Sequence, residues 1–123
     1  MEIDRPDVIA EVTRAFEAYE RALVANDVEA MLSFFAAGAL RYGIADQQAG
    51  LAEQRRWRRA QPPLPAGRYL KDTEVRAYGA DAAVVTTLFG YPASEALGRQ
   101  SQTWIRLPAG WRIVHAHVSE PKL

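Results

Sequence analysis

A long run of extended-chain residues near the C-terminal end is the feature that most limits how this chain can fold. Residues 98–119, GRQSQTWIRLPAGWRIVHAHVS, hold two segments rich in β-branched and aromatic side chains. Residues 107–110, LPAG, lie between them, and here proline fixes φ while glycine accepts a positive φ. The two segments are therefore predicted to form a β-hairpin.

Side chains alternate between the two faces of a strand, so the last strand should present two sets of residues. One face would carry Trp111, Ile113, His115, His117 and Ser119, and the other Arg112, Val114, Ala116 and Val118. Neither set is plainly polar. We therefore expect both faces to be covered, by helices, by a second sheet or by a partner subunit.

The size and charge of the chain exclude several classes of function. A length of 123 residues fits one domain, and we take residues 1–123 as that domain. Fifteen basic residues balance fifteen acidic ones, so no overall field attracts nucleic acid or an anionic membrane. No targeting segment is recognisable, and no apolar stretch approaches the roughly 18 residues that span a bilayer. We expect a cytoplasmic protein that binds neither nucleic acid nor membranes.

Apolar spacing predicts the order of the remaining elements. Helices are expected at Pro6–Ala25, with Asp4 as a cap, at Val28–Phe35 and at Leu51–Ala60. Strands are expected at Ala39–Ile44 with a short return near Gln47, and at Arg68–Tyr78, Ala82–Tyr91 and Arg99–Leu107. With the final strand, the order is helix, helix, strand, short strand, helix and four antiparallel strands, which predicts an α+β fold.

That order, closed by residues 110–119, GWRIVHAHVS, resembles the nuclear-transport-factor-two-like, or SnoaL-like, superfamily. Within the superfamily the chain most closely resembles the AtzH-like family. The matching stretches run through nearly the whole chain: RPDV at 5–8, ALVAND at 22–27, LRYGI at 40–44 and GRQSQTW at 98–104. The third and fourth of these discriminate best within the superfamily.

The resemblance implies a cystatin-like α+β roll, in which a cone-shaped, strongly curved, mainly antiparallel sheet wraps around an N-terminal helical hairpin and a third helix. It also implies a pocket inside the cone. Family members are similar to helper hydrolases that work beside amidases on small ureido acids and dicarboxylated ureas. Two departures border the expected pocket mouth: residues 33–38, SFFAAG, lack an acidic, proline-containing turn, and the third helix is unusually rich in arginine.

No motif in the chain is sufficient by itself to define a reaction, so we expect side chains that converge on a cavity, with no cofactor. Arg41 is the most informative candidate, because a guanidinium near a core needs an anionic partner and matches a carboxylate best. That partner is either a small anionic ligand or an internal carboxylate such as Asp46 or Glu53.

Tyr19 lies within the apolar stripe of the first helix. Its phenol is either a core hydroxyl bonded to backbone or, as the resemblance favours, a catalytic donor to a carbonyl oxygen or a leaving nitrogen. Tyr19 and Arg41 are therefore the candidate catalytic residues.

His115 and His117 lie two apart on one strand, a spacing that would let both imidazoles enter one cavity, bind substrate or activate water. The same spacing suits a metal ion, but with no cysteine and no third histidine we predict no metal site. Arg99, Ser101 and Thr103 share one strand face and are further candidates for substrate binding; exposed sheet polarity is the alternative. The arginines of the third helix are most simply a solvated face.

Three classes of function stay open at this point. The first is a hydrolase of small anionic ureido compounds, and the second is a non-catalytic binding or dimerisation domain. The third is an isomerase or dehydratase, which needs an aspartate or histidine base in the pocket. No well-placed aspartate is apparent in the sequence. Because the face carrying Arg112, Val114, Ala116 and Val118, flanked by Trp104, is apolar, we also expect a homodimer.

Overall fold

The computed structural model describes residues 1–120 and contains three helices and six strands. The helices are α1 (Pro6–Val24), α2 (Val28–Leu32) and α3 (Gly50–Ala60). The strands are β1 (Phe35–Tyr42), β2 (Gln47–Ala49), β3 (Tyr69–Tyr78), β4 (Ala82–Gly90), β5 (Gly98–Leu107) and β6 (Gly110–Ser119). The predicted order of elements is confirmed. Two boundaries are wrong: the second helix ends at Leu32 and not at Phe35, and the strand predicted at Ala39–Ile44 runs from Phe35 to Tyr42.

All six strands belong to one sheet with the order β2-β1-β6-β5-β4-β3. Strands β3 to β6 form an antiparallel meander, and β5 and β6 are the predicted hairpin. Strand β1 runs parallel to β6 and antiparallel to β2. The sheet is therefore mixed, and the parallel pair brings β1, which carries Arg41, next to the C-terminal strand.

The core lies between α1 and one face of the sheet. Val8, Val12 and Phe16 on α1 are almost completely buried, as are Trp104 on β5 and Ile113 on β6. The 3–4 spacing of the apolar residues on α1 places them on one stripe, so the helix buries that stripe and leaves its other side in water. The predicted α+β roll is confirmed.

A β-bulge in β6 overturns the predicted alternation of its side chains. The pairing with β5 is Trp104 to Ile113 and then Thr103 to His115, so one residue of β6 is extra. Beyond the bulge the faces exchange: Ile113 and Ala116 are both buried on the helix side. Trp111 and Ile113 therefore do not share a face with His115 and His117.

The N-terminal segment also differs from expectation. Asp4 does not cap α1, for which Arg5 stands at the N-cap without a side-chain hydrogen bond. The Asp4 carboxylate instead accepts hydrogen bonds from the Ala77 amide at 2.9 Å and from Arg76 on β3. This contact joins the start of the chain to the edge of the sheet. Among the described residues, no helix has both the length and the apolar character needed to cross a membrane.

Candidate functional site

One cavity opens beside α1 and takes its walls from four parts of the fold. Its volume is about 480 Å³, which is within the range of small-molecule sites. Tyr19 comes from α1, Arg41 from β1, Arg58 from α3 and Gln100 from β5, while the loop after α3 forms part of the rim. Tyr19 and Arg41, which were predicted to act together, line the same cavity.

Arg41 enters the cavity because of the alternation along β1. Ala39 and Arg41 are buried on the helix side, whereas Leu40 and Tyr42 are exposed on the other face. The side chain of Arg41 is thus held at the junction of β1 with α3.

The guanidinium of Arg41 is only partly satisfied by protein groups. Its Nη1 donates to Gln48 Oε1 at 2.9 Å and to Asp46 Oδ2 at 3.3 Å, and its Cζ lies 4.0 Å from the centroid of a Trp57 ring. Its other two nitrogens donate to none of the described residues. Burial lowers the pKa of Arg41 below its ordinary value and the positive charge of Arg58 lowers it further, while Asp46 opposes both.

Both interpretations of Arg41 therefore find support. An internal ion pair exists with Asp46, whose Oδ2 also accepts from Gln48 Nε2 at 2.9 Å. The alternative partner, Glu53, accepts a hydrogen bond from the Ala49 amide at the start of α3. One edge of the guanidinium is occupied, and the rest is available to a ligand.

Tyr19 is 4% exposed and packs edge-on against the rings of Phe34 and Phe35, with centroids 6.1 and 5.8 Å away. No described residue forms a hydrogen bond with the Tyr19 hydroxyl, so the core alternative of a phenol bonded to backbone has no support among residues 1–120. Burial raises the pKa of Tyr19 above its ordinary value, against the opposing positive charge of Arg58. The phenol is therefore protonated at neutral pH and can donate.

Arg58 is a cavity residue that the sequence did not single out. Its Cζ lies 4.7 Å from the centroid of a Trp57 ring, so both Arg41 and Arg58 stack on one indole. Arg58 forms no ion pair with a described residue, and its Nε is buried without a hydrogen-bond partner. Its neighbours Arg55 and Arg59 do form the exposed face that was expected, through ion pairs with Glu29 of α2.

A third arginine in the cavity wall, Arg68, is neutralised by the protein. Its Nε donates to Glu20 at 3.0 Å, its Nη2 donates to Gln100 Oε1 at 3.2 Å and its Nη1 donates to the Tyr91 hydroxyl at 3.3 Å. Gln100 Nε2 also donates to Glu20 at 3.2 Å. Burial of Arg68 lowers its pKa, but the attraction and hydrogen bonds of Glu20 and the bond to Tyr91 outweigh this, so the net pKa is raised.

Five residues that the sequence offered for substrate binding do not line this cavity. On β5 the buried residues are Gly98, Gln100, Gln102 and Trp104, which places the intervening residues on the other face of the sheet. The bulge in β6 sends its histidines to that same face, where they pair across strands with β5. The five are Arg99, Ser101, Thr103, His115 and His117.

The two histidines make contacts of an ordinary sheet surface. His115 packs edge-on against Tyr42 with centroids 5.6 Å apart, and His117 lies within hydrogen-bond distance of Ser119 Oγ at 3.3 Å. Among residues 1–120, no group of three histidine or acidic side chains is placed to hold a metal ion.

Gln100 could have been recognised from the sequence if Trp104 had been assigned to the core. Trp104 is fully buried, and residues two and four positions before it must lie on the same face of a regular strand. The sequence contains no comparable signal for Arg58, because one arginine among four on a helix gives no indication of which of them enters a cavity.

Several solved structures are similar to this chain. A cystatin-like fold protein from Burkholderia xenovorans LB400 is 49% identical with a TM-score of 0.91, and the match covers 100% of this chain and 98% of that one. A protein of unknown function from Pectobacterium atrosepticum SCRI1043 is 42% identical with a TM-score of 0.91, covering 98% and 95%. An NTF2-like protein of unknown function from Pseudomonas putida KT2440 is 19% identical with a TM-score of 0.83, covering 95% and 89%, and supports the fold alone.

No curated protein sequence matches the chain. The AtzH-like family model, however, matches residues 1–122, which is almost the whole length. The fold agrees with this match, since the similar structures have cystatin-like and NTF2-like folds. The chain belongs to the AtzH-like family.

Proposed function

We propose that this protein hydrolyses a C–N bond in small anionic ureido compounds such as carboxylated ureas, as part of nitrogen catabolism. The observation that carries the proposal is that Tyr19 and Arg41 line one cavity, with an unbonded phenol and a partly free guanidinium. A carboxylated urea carries its negative charge beside an electrophilic carbonyl. These two side chains offer one group for each of those features.

In the proposed reaction, the free nitrogens of Arg41 hold the substrate carboxylate. Tyr19 donates a hydrogen bond to the urea carbonyl oxygen and then its proton to the leaving nitrogen. Asp46, which lines the cavity beside Arg41, accepts a proton from water as the water oxygen bonds to the carbonyl carbon. The C–N bond then breaks, and the nitrogen leaves as a neutral amine.

Asp46 replaces the histidines in this scheme because His115 and His117 lie on the other face of the sheet. Positioning and charge stabilisation would supply most of the acceleration. Proton transfer by Tyr19 would add roughly 10²–10⁴-fold.

The test is release of ammonia or carbon dioxide from 1,3-dicarboxyurea and related ureido acids by metal-free protein. Tyr19→Phe should lower the turnover number by about 10²-fold or more with little change in melting temperature, because only one cavity-facing oxygen is removed. Tyr78→Phe is the matched control, since Tyr78 is exposed at the end of β3 and should turn over like wild type. Equal rates for wild type and Tyr19→Phe would remove Tyr19 from the mechanism.

Arg41→Lys distinguishes a role of Arg41 in carboxylate binding from a role in stabilising the fold. Lysine keeps the charge but loses the planar fork, so binding of small carboxylates should weaken while the melting temperature changes little. Unfolding of this variant would favour a structural ion pair with Asp46. If wild type turns over no member of the panel but still binds carboxylates, the alternative of a non-catalytic ligand-binding domain is correct.

We further propose that the protein is a cytoplasmic homodimer that pairs through the outer face of the sheet. The sequence placed Ala116, Val118 and Trp104 on this face, but Ala116 and Trp104 are buried in the core and Val118 lines the cavity. Leu40 and Tyr42 are exposed there instead, at 43% and 41%. Burial of these two exposed apolar side chains of β1 against a second copy would remove them from water.

A further inference from the structure

We propose that Arg58 is a second anion anchor of the cavity and that, together with Arg41, it selects ligands with two negative groups over ligands with one. This inference deepens the proposed function, on which its biological meaning rests. It assigns a specificity-determining role to a residue outside the Tyr19 and Arg41 pair.

The first support is the difference between the three arginines that line the cavity. Arg68 is balanced by Glu20, with hydrogen bonds to Gln100 and Tyr91. Arg41 has a partial partner in Asp46. Arg58 has neither, so its charge is the least compensated of the three among the residues described.

The second support is that Arg41 and Arg58 stack on the same indole ring system. The guanidinium groups of Arg41 and Arg58 lie 4.0 and 4.7 Å from ring centroids of Trp57, so two positive charges are held against one indole. The two positive charges repel each other, because the charge of Arg58 disfavours the charged form of Arg41. A ligand with two anionic groups relieves that repulsion, whereas a ligand with one anionic group relieves only part of it.

The surroundings of Arg58 offer no structural substitute for such a ligand. A small void of about 10 Å³ is lined by both Arg58 and Asp27. The Asp27 carboxylate, however, accepts the Ala30 amide at 3.1 Å as the N-cap of α2 and forms no ion pair with Arg58. The buried Nε of Arg58 has no acceptor among the described residues, which costs the fold stability.

Equilibrium binding of malonate and acetate, measured by calorimetry at equal ionic strength, tests the proposal. Wild type should bind malonate more tightly than acetate. Arg58→Gln should weaken malonate binding by about ten- to a hundred-fold, the range for a lost charge-assisted hydrogen bond, and weaken acetate binding much less. Arg58→Lys should retain part of the preference because the charge remains.

The matched control is Arg56→Gln, which removes the same charge from an exposed position of α3 that does not line the cavity. It should bind both anions like wild type. Thermal melts of every variant exclude unfolding as the cause. No preference for malonate in wild type, an unchanged preference in Arg58→Gln, or an equal loss for both anions would each overturn the proposal.

The binding and turnover experiments distinguish failure of this proposal from failure of the hydrolase proposal. A wild-type preference for malonate that Arg58→Gln abolishes supports the second anchor even if no ureido compound is hydrolysed. Turnover of ureido acids with no dependence of anion selectivity on Arg58 would instead leave the hydrolase proposal standing and refute this one.

Discussion

Replacing Glu20 by glutamine should destabilise the protein far more than the same change at Glu29, although each residue is paired with arginine. The Glu20 side chain is 11% exposed and its partner Arg68 is 4% exposed, with Nε and a carboxylate oxygen 3.0 Å apart. Glu29 is 56% exposed and is paired with Arg55 at 2.8 Å. The two sites therefore differ chiefly in access to water.

The expected loss of stability in Glu20→Gln follows from the buried groups that lose their partner. Without the Glu20 carboxylate, Arg68 remains a buried charge, and Gln100 loses an acceptor. Removing one member of a buried ion pair costs about 3–5 kcal/mol. For a domain of this size that corresponds to a fall in melting temperature of roughly 10–25 °C. Glu29→Gln should cause only a small shift, because water screens the pair it breaks.

Urea and thermal denaturation at low and high salt provide the assay. The effect of Glu29→Gln should shrink as salt is added, whereas that of Glu20→Gln should persist. The double variant Glu20→Gln/Arg68→Met should be less destabilised than Glu20→Gln alone, since the buried charge is gone. Equal effects at Glu20 and Glu29, or a double variant whose loss equals the sum of the singles, would refute the buried-pair reasoning.

Three further predictions address other parts of the fold. The hydrogen bond from the β3 backbone is the main reason that the pKa of Asp4 is lowered from 3.8. The ionised Asp4 carboxylate therefore stabilises the fold above pH 3.8, and this stabilisation is lost as the pH falls through the lower pKa of the folded state. Wild type and Asp4→Asn should differ in melting temperature near neutral pH but not in strong acid. Gly98→Ala should destabilise by about 1–3 kcal/mol in urea unfolding, because the new methyl group overlaps the buried Phe89 ring, whereas Gly38→Ala, with no atom within 4 Å, should be nearly neutral. Light scattering at micromolar concentration should give the mass of two chains for wild type and of one for Leu40→Asp; a single-chain mass for wild type would disprove the homodimer.

Local patterns were enough to predict the elements of this protein. The 3–4 spacing of α1 and the strand runs of β3 to β6 are decided by neighbouring residues, since the helical stripe and the pleat repeat over a few positions. The cap assigned to Asp4 was wrong because a contact 73 residues away competes for its carboxylate. Local reasoning has no access to that competitor.

The candidate site was predicted only in part. Tyr19 and Arg41 line one cavity, and they were singled out by the chemistry of a buried phenol and a near-core guanidinium together with family resemblance. The β5 candidates lie on the sheet surface, as the alternative of exposed sheet polarity states, and only the two histidines of β6 were assigned to the wrong face. Strand alternation is reliable only while the register is regular, and a single extra residue at a bulge exchanges the faces.

The order of helices and strands, the α+β class and the family could be inferred from the sequence, because they depend on short-range periodicity and on motifs spread along the whole chain. The tertiary structure alone decided which charges are compensated. Glu20 pairs with Arg68, 48 positions away, and so neutralises one of the three cavity arginines that could bind an anionic ligand. Arg58 has no acidic partner among residues 1–120. Such pairings depend on distances between side chains from separate elements, and a balanced count of acidic and basic residues contains no information about those distances.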